Sequence, residues 1–171
     1  MEAVLVPEVC MDYTKRMIAA RDNFFAGYNC AQAVLLAFGD VTGLAPDVAV
    51  RLGSSFGGGM ARMREVCGAV SGMLMAAGIV FGYATPETGE VKMQHYAFIR
   101  SLADEFRATN GTIICRELLA NIPTTPGGDP EARTPEYYHR RPCGELIAQC
   151  TGILERRLDA AHRTEPGAEP R

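Results

Sequence analysis

The chain is 171 residues long, 47% of them hydrophobic and 22% charged, and its formal net charge is −3. This length accommodates one domain with a substantial buried core, and the negative charge without a basic stripe argues against nucleic-acid binding. The N-terminus resembles neither a secretory nor a twin-arginine signal, so we expect a cytoplasmic protein whose six cysteines are thiols, ligands or redox-active pairs.

Apolar residues recur with helical periodicity, and no segment alternates strictly as a half-buried strand does. We therefore predict an all-α fold, a single-domain helical bundle of about six to seven helices over residues 1–162, with a disordered tail over residues 163–171. The predicted helices cover residues 11–26, 30–38, 46–52, 60–83, 91–108, 115–120 and 143–161. A long loop rich in Pro, Gly and Thr, residues 121–142, precedes the last helix.

The helix predicted over residues 60–83 is the most apolar one, and residues 53–59 before it are predicted to form a flexible hinge. Its segment 66–83 is nearly free of charge, but three glycines and a serine dilute its hydrophobicity. A bilayer-spanning helix needs about 20 apolar residues. We therefore expect a buried central helix and no interaction with a membrane.

Four of the six cysteines occur in distinctive contexts, far apart in the sequence and without a CxxC pair. Cys30 follows Asn29, a favoured N-cap residue, and Cys143 follows Pro142, so both are predicted to open a helix. Cys115 is also predicted to lie near a helix start. The partial positive charge at a helix N-terminus lowers the pKa of a thiol and favours the thiolate.

Arginines near these cysteines are expected to stabilise thiolates further. Arg116 is adjacent to Cys115, and Arg140 and Arg141 precede Cys143 by two or three positions. Three of the four thiols therefore occupy positions that suit a ligand or a nucleophile.

Cys67 differs from the other three, because it is predicted to lie about two turns inside the helix over residues 60–83. Gly68 and Gly72 flank it on one side of that helix. Glycines at these positions leave room for another helix or for a bulky inorganic group beside the thiol.

If the fold gathers the four thiols, they suit a soft metal, an iron–sulfur cluster or two redox-active pairs. The lack of paired CxxC motifs argues against a zinc ribbon and against ferredoxin-type loops. For each cysteine, packing as a small buried hydrophobe is the alternative interpretation.

Three other side chains are weaker candidates. Cys150 lies on nearly the same face of the last helix as Cys143, and we favour core packing for it over a fifth ligand or a resolving thiol. Cys10 is predicted to take no part in the site. His139 is interpreted as an exposed loop residue, with a nitrogen ligand or a proton donor as the alternative.

The glycines at residues 57–59 precede Arg62 and Arg64, a pattern compatible with an anion-binding nest. The segment lacks the fingerprints of a P-loop or a dinucleotide site. Close helix packing explains the three glycines equally well.

Five ordered blocks together resemble the C_GCAxxG_C_C family. The resemblance extends over about residues 17–155 and is carried by residues 25–34, 56–60, 67–72 and 110–119 and by the late cysteine. It implies a redox role, commonly with a bound iron–sulfur cluster, and no CxxCH haem-attachment motif is present. The cysteines that it implies as hallmark residues are Cys30, Cys67, Cys115 and Cys143.

The leading hypothesis is a redox protein that holds an iron–sulfur cluster through these four cysteines, with Gly68, Gly72 and Arg116 beside the cluster. It implies a redox partner protein, and a homodimer is compatible with the glycine-rich helix. One alternative is a metal-free thiol protein that forms a disulfide between Cys67 and Cys30 or Cys143. Another is a structural zinc site, or a helical interaction module whose cysteines pack in the core.

Overall fold

The described parts of this computed structural model, residues 13–86 and 89–164, contain nine α-helices and one short 3-10 turn. The all-α prediction is confirmed, and six of the helices have eight residues or more. The helices are α1 Lys15–Phe25, α2 Cys30–Ala37, α3 Gly39–Thr42, α4 Pro46–Gly53, α5 Gly68–Phe81, α6 Glu90–Asn110, α7 Cys115–Leu118, α8 Pro135–Arg140 and α9 Cys143–Thr164.

Helix α2 lies at the centre of the bundle, packed against α1, α4, α5 and α9. Helix α9 also contacts α1, α5 and α6, so it connects both sides of the bundle. The core between these helices is aliphatic and aromatic, and burying such side chains provides the main stabilisation of the fold. Its largest fully buried side chains include Phe24, Phe38, Met73, Phe106 and Ile147.

Helices α2 and α5 approach each other closely because α5 presents glycines to its neighbour. A Cβ atom on Gly72 would lie 2.7 Å from the carbonyl oxygen of Ala31 in α2, and one on Gly68 would lie 2.8 Å from that of Phe56. Glycine is therefore required at both positions to bring the start of α5 against α2. Among the described residues, no helix is both long enough and apolar enough to cross a membrane.

The helix predicted over residues 60–83 begins only at Gly68, so that prediction is wrong over its first eight residues. Residues 58–62 instead have positive φ angles, among them the non-glycine residues Met60, Ala61 and Arg62. Each non-glycine residue in this conformation costs about 1–2 kcal/mol. Hydrogen bonds from the N–H groups of Arg64 and Glu65 back to residues 58 and 59 help to hold the segment. The first four residues of the predicted hinge, 53–56, lie in the last turn of α4 and in the 3-10 turn.

Three other predicted boundaries are corrected. The predicted loop over residues 121–142 contains helix α8, whose N-cap Thr134 accepts a hydrogen bond from the N–H of Tyr137 (3.2 Å). The first helix begins at Lys15 rather than near residue 11, and the last continues to Thr164. Residues 1–12, which include Cys10, and the predicted tail from residue 165 onward lie outside the described residues.

Candidate functional site

All four distinctive cysteines lie at the N-termini of helices. Cys30, Cys115 and Cys143 are the first residues of α2, α7 and α9, as the sequence predicts. Cys67 is the N-cap residue of α5, so its predicted position two turns inside a helix is wrong. The four residues come from distant parts of the chain, yet all line one cavity, here called the cysteine cavity.

A capping box fixes the start of α2 and with it Cys30. The Oδ1 atom of Asn29 accepts hydrogen bonds from the N–H groups of Ala31 (3.0 Å) and Gln32 (2.9 Å). The side chain of Gln32 accepts a hydrogen bond from the Asn29 N–H in return (2.9 Å). The predicted N-cap role of Asn29 is thereby confirmed.

A short antiparallel pairing places Cys67 beside Cys115. The N–H of Cys67 donates to the Ile113 carbonyl (2.8 Å), and the N–H of Cys115 donates to the Glu65 carbonyl (2.6 Å). Val66 and Ile114 form an isolated β-bridge between them. Because each cysteine directly follows a bridge residue, this pairing aligns the starts of α5 and α7.

Two glycines allow the backbone to approach the thiols. A Cβ atom on Gly59 would lie 2.6 Å from the Cβ of Cys115, and the φ of Gly59 is +70°. A Cβ atom on Gly68 would lie 3.1 Å from the Cβ of Cys30. Glycine at these positions brings the residue 58–62 segment and helix α5 directly against two of the cysteines.

The thiols are shielded from solvent. Cys67, Cys115 and Cys143 are 5%, 7% and 9% exposed, and Cys30 is partly buried. The cysteine cavity has a volume of about 40 Å³, compared with the roughly 10–15 Å³ that one water needs. It can therefore hold a group of several atoms in a low-dielectric surround.

Cys30 and Cys143 behave as a hydrogen-bonded thiol pair. Their hydrogen bond raises the pKa of Cys30 well above its ordinary value and lowers that of Cys143. Arg141 and Arg133 lower the pKa of Cys143 further, whereas burial opposes them. The pair therefore favours a Cys143 thiolate that accepts a hydrogen bond from the Cys30 thiol.

The other two cavity thiols are held protonated by burial. Desolvation raises the pKa of Cys67 to about 12, and the backbone amides of Ala69 and Val70 in the first turn of α5 act in the opposite direction. The Cys67 side chain makes no capping hydrogen bond to α5. Desolvation also raises the pKa of Cys115. Arg64 opposes this rise through a contact of 3.9 Å between its Nη1 and the Cys115 sulfur.

The arginines that line the cysteine cavity are Arg64, Arg133 and Arg141. Of these, only Arg141 is predicted from the sequence to lie beside a thiol. Arg116, the predicted cofactor-site arginine, is exposed, pairs with Glu65 (2.6 Å) and is not among the residues that line this cavity. Proximity in sequence to Cys115 therefore does not identify the arginine that contacts its sulfur.

The remaining candidate residues lie elsewhere. Gly68 lines the cysteine cavity, whereas Gly72 packs against α2 and is not among the lining residues. Cys150 is fully buried in α9. Burial raises its pKa well above the ordinary value, and the charge of an ionised Cys67 would raise it further. His139 is exposed on α8.

Five lining residues have no role predicted from the sequence: Leu118, Leu119, Leu146, Arg133 and Tyr137. The last two belong to the chain around α8, which lies within the predicted loop. The signal for this helix is the sequence Thr134-Pro135-Glu136, an N-cap residue followed by proline and an acidic first turn.

The donor chemistry of the cysteine cavity fits an iron–sulfur cluster. Four thiols, the usual ligands of such clusters, surround one space, and helix N-termini with three arginines supply positive charge. Among the described residues, no three Cys, His, Asp or Glu side chains are already placed as a set around one metal ion. The fit therefore rests on the four thiols and their surroundings, not on a preformed single-ion site.

The fold and the cavity define a small all-α protein with a buried four-cysteine site. The chain matches the family described as "Putative redox-active protein (C_GCAxxG_C_C)" over residues 28–157, and it belongs to that family. The resemblance drawn from the sequence is thus confirmed, and the family description supports a redox-active protein. No curated protein and no solved structure matches the chain.

Proposed function

We propose that this protein is an electron-transfer or redox-sensing protein that holds an iron–sulfur cluster in the cysteine cavity. Cys30, Cys67, Cys115 and Cys143 are its four ligands. The observation that carries this proposal is that four thiols from four helix starts line a single cavity. A bound cluster supplies one-electron chemistry to a protein partner.

The surrounding residues have distinct tasks in this function. The helix N-termini stabilise thiolate charge, and Arg64 and Arg141 add positive charge to the cavity lining. Because these groups favour negative charge, they favour the reduced state and raise the reduction potential. The low exposure of three of the cysteines keeps water away from them.

Purification without oxygen, followed by absorption spectroscopy and analysis of iron and acid-labile sulfide, tests the proposal. The expected result is a coloured protein with iron and sulfide in near-stoichiometric amounts. Cys67→Ser should remove the colour and the iron. Two controls, Cys10→Ser and Cys150→Ala, should retain both, because neither residue is proposed as a ligand. A colourless protein without iron, or equal loss in Cys67→Ser and Cys10→Ser, would overturn the assignment.

A second candidate is a metal-free thiol–disulfide protein, which the hydrogen bond between Cys30 and Cys143 favours. The Cys143 thiolate attacks one sulfur of a partner's disulfide, and the other partner sulfur leaves as a thiolate. Cys30 then loses its proton to solvent and attacks the Cys143 sulfur, which releases the second partner thiolate. The partner gains two electrons, and a Cys30–Cys143 disulfide remains.

This pairing differs from the pairs predicted from the sequence, both of which include Cys67. The difference separates the two functions experimentally. After oxidation with glutathione disulfide, peptide mapping of Cys67→Ser should still find the Cys30–Cys143 bridge if the second candidate holds. Under the first, Cys67→Ser loses its cluster. One equivalent of bound zinc without a redox response would contradict both and support a structural site.

A further inference from the structure

A second cavity, here called the arginine cavity, adjoins the cysteine cavity. Its volume is about 380 Å³, and it is partly open to solvent. Asn29, Gly58, Arg64, Arg133 and Tyr137 line both cavities, so a ligand in the arginine cavity would lie next to the thiols. Its other side is formed by the segment of residues 58–62 and by the loop before α8.

The described residues that line the two cavities carry a surplus of positive charge. They include four arginines, Arg62, Arg64, Arg133 and Arg141, but a single carboxylate, Glu131. An anion from outside the chain would balance this surplus.

The carboxylate of Glu131 forms a hydrogen bond with only one of its three arginine neighbours. Its Oε1 lies 2.6 Å from Nη2 of Arg141, a hydrogen-bond distance. The same oxygen is 3.8 Å from Nη2 of Arg64 and 3.9 Å from Nη1 of Arg62, too far for hydrogen bonds. Nη2 of Arg64 and Nη1 of Arg62 therefore face this carboxylate without a hydrogen bond to it, whereas Nε and Nη2 of Arg62 donate to the carbonyls of Gly127 (2.9 Å) and Thr125 (3.4 Å).

The buried arginines have unused donors. Arg64 is 3% exposed and Arg141 is 7% exposed, yet the Nε atom of each is buried and lacks a hydrogen-bond partner. A buried guanidinium with unpaired donors costs free energy that a charged acceptor would recover. Planar guanidinium groups pair well with carboxylate and phosphate oxygens, often through two hydrogen bonds.

The wall of the arginine cavity is fixed in place by Arg62. Its Nε donates to the carbonyl of Gly127 (2.9 Å), and the N–H of Gly127 donates to the carbonyl of Arg62 (2.9 Å). These bonds fasten the loop that carries Glu131 to the segment of residues 58–62. The charged groups are thus held in position before any ligand enters.

We propose that the arginine cavity binds a small inorganic oxyanion, such as sulfate or phosphate, beside the cysteine cavity. Arg62 and Arg64 bind the anion. The Glu131 carboxylate occupies part of this anion site until the anion displaces it. This assigns to the chain an anion site that the proposed electron-transfer role does not require. The site extends the nest considered at residues 57–59, because it adds side-chain donors from outside that segment.

Isothermal titration calorimetry with sulfate and with phosphate, at constant ionic strength in chloride buffer, tests this proposal. Saturable binding is expected for the native chain. Glu131→Gln should bind about tenfold more tightly, a gain of about 1.4 kcal/mol, because it removes the competing carboxylate. Glu136→Gln, an exposed change on α8, is the matched control and should leave the affinity unchanged.

Arg62→Gln should weaken binding about tenfold or more, again at least about 1.4 kcal/mol. Arg51→Gln alters an exposed arginine away from both cavities and should have no effect. Circular dichroism establishes that each variant is folded. Absence of saturable binding in both the native chain and Glu131→Gln, or equal losses in the two arginine variants, would overturn the proposal. Neither result bears on the iron and sulfide analysis, so the two proposals fail separately.

Discussion

At the scale of single residues, Cys143 has the most unusual environment of the cavity thiols. It is the first residue of α9, it accepts a hydrogen bond from Cys30, and Arg141 and Arg133 lie nearby. All these neighbours stabilise its thiolate, whereas the pKa values of Cys30, Cys67 and Cys115 are raised. Cys143 should therefore be the first of the four to ionise.

This order is measurable in reduced, metal-free protein by following iodoacetamide alkylation of each cysteine against pH with mass spectrometry. Cys143 should react at the lowest pH. Arg141→Gln should shift its profile to higher pH, because a lost positive charge raises the pKa of the thiol. Arg141→Lys keeps the positive charge, so its alkylation profile should lie close to that of the native chain.

Arg140→Gln is the control, since Arg140 is exposed and its Nε donates to the Glu136 carbonyl. An equal shift in this variant, or first reaction at Cys67 or Cys115, would contradict the assigned order.

At the scale of helices and loops, the close contact between α2 and α5 depends on glycine at the positions of α5 that face α2. Gly72 faces the backbone of Ala31, whereas a Cβ atom added to Gly78, later in the same helix, would meet no atom within 4 Å. The same substitution should therefore have opposite effects at these two positions.

Gly72→Ala should destabilise the protein by about 1–3 kcal/mol, because the added methyl group overpacks the contact. Gly78→Ala should stabilise it by about 0.5–1 kcal/mol through helix propensity. Urea unfolding of both variants measures the difference. Equal changes of the same sign would show that α2 and α5 are not in close contact there.

The left-handed segment before α5 makes a second prediction at this scale. Ala61 has a φ of +51°, in a conformation that glycine adopts without the steric cost of a Cβ atom. Ala61→Gly should raise the free energy of unfolding by up to about 1 kcal/mol. Ala19→Gly, on the exposed face of α1, should lower it by about 1 kcal/mol. Destabilisation by both substitutions would contradict the left-handed conformation.

Structure that short-range sequence preferences determine is predicted correctly, whereas structure that depends on contacts between distant parts of the chain is not. Asn29 and Pro142 mark the helix starts at Cys30 and Cys143 through short-range preferences that need no tertiary contact. The loop before Cys67 has no such mark, since Met60, Ala61 and Arg62 all favour ordinary helix. Its conformation depends on pairing with the chain around Cys115, about 50 residues later.

The four cysteines of the site can be predicted from the sequence, but most of the arginines around them cannot. The family blocks identified all four thiols. Pairing arginines with cysteines by sequence distance identifies Arg141, but it also selects the exposed Arg116 and misses Arg133. Arg64 reaches Cys115 only because the segment before α5 folds back onto α7, a contact that no local pattern encodes.

At the scale of the whole molecule, buried thiols make stability depend on pH in the alkaline range. Burial raises the pKa values of Cys67, Cys115 and Cys150, so these groups keep their protons in the folded state. In the unfolded chain a cysteine loses its proton near about pH 8.5. Their contribution to stability is complete below that pH and is lost as the pH rises toward the folded-state pKa, about 12 for Cys67.

The free energy of unfolding of reduced, metal-free protein should therefore fall between about pH 8.5 and pH 11. Cys150→Ala removes one titrating thiol and should reduce the slope by up to about 1.4 kcal/mol per pH unit. Urea unfolding over pH 6–11 measures both curves. Below pH 7.5 the curves should be parallel, which separates titration from the packing cost of the substitution. Identical slopes above pH 9 would contradict a protonated, buried Cys150.

The position of Cys143 at the start of α9 has a consequence for the order of events during synthesis. The other three cavity cysteines leave the ribosome earlier, and the last helix contacts α1, α2, α5 and α6 as it docks. The fourth thiol thus joins the others only when the final helix has packed against the rest of the bundle. A shorter chain without α9 therefore contains three of the cavity thiols and no four-thiol site, so chemistry that needs all four thiols has to wait until α9 has docked.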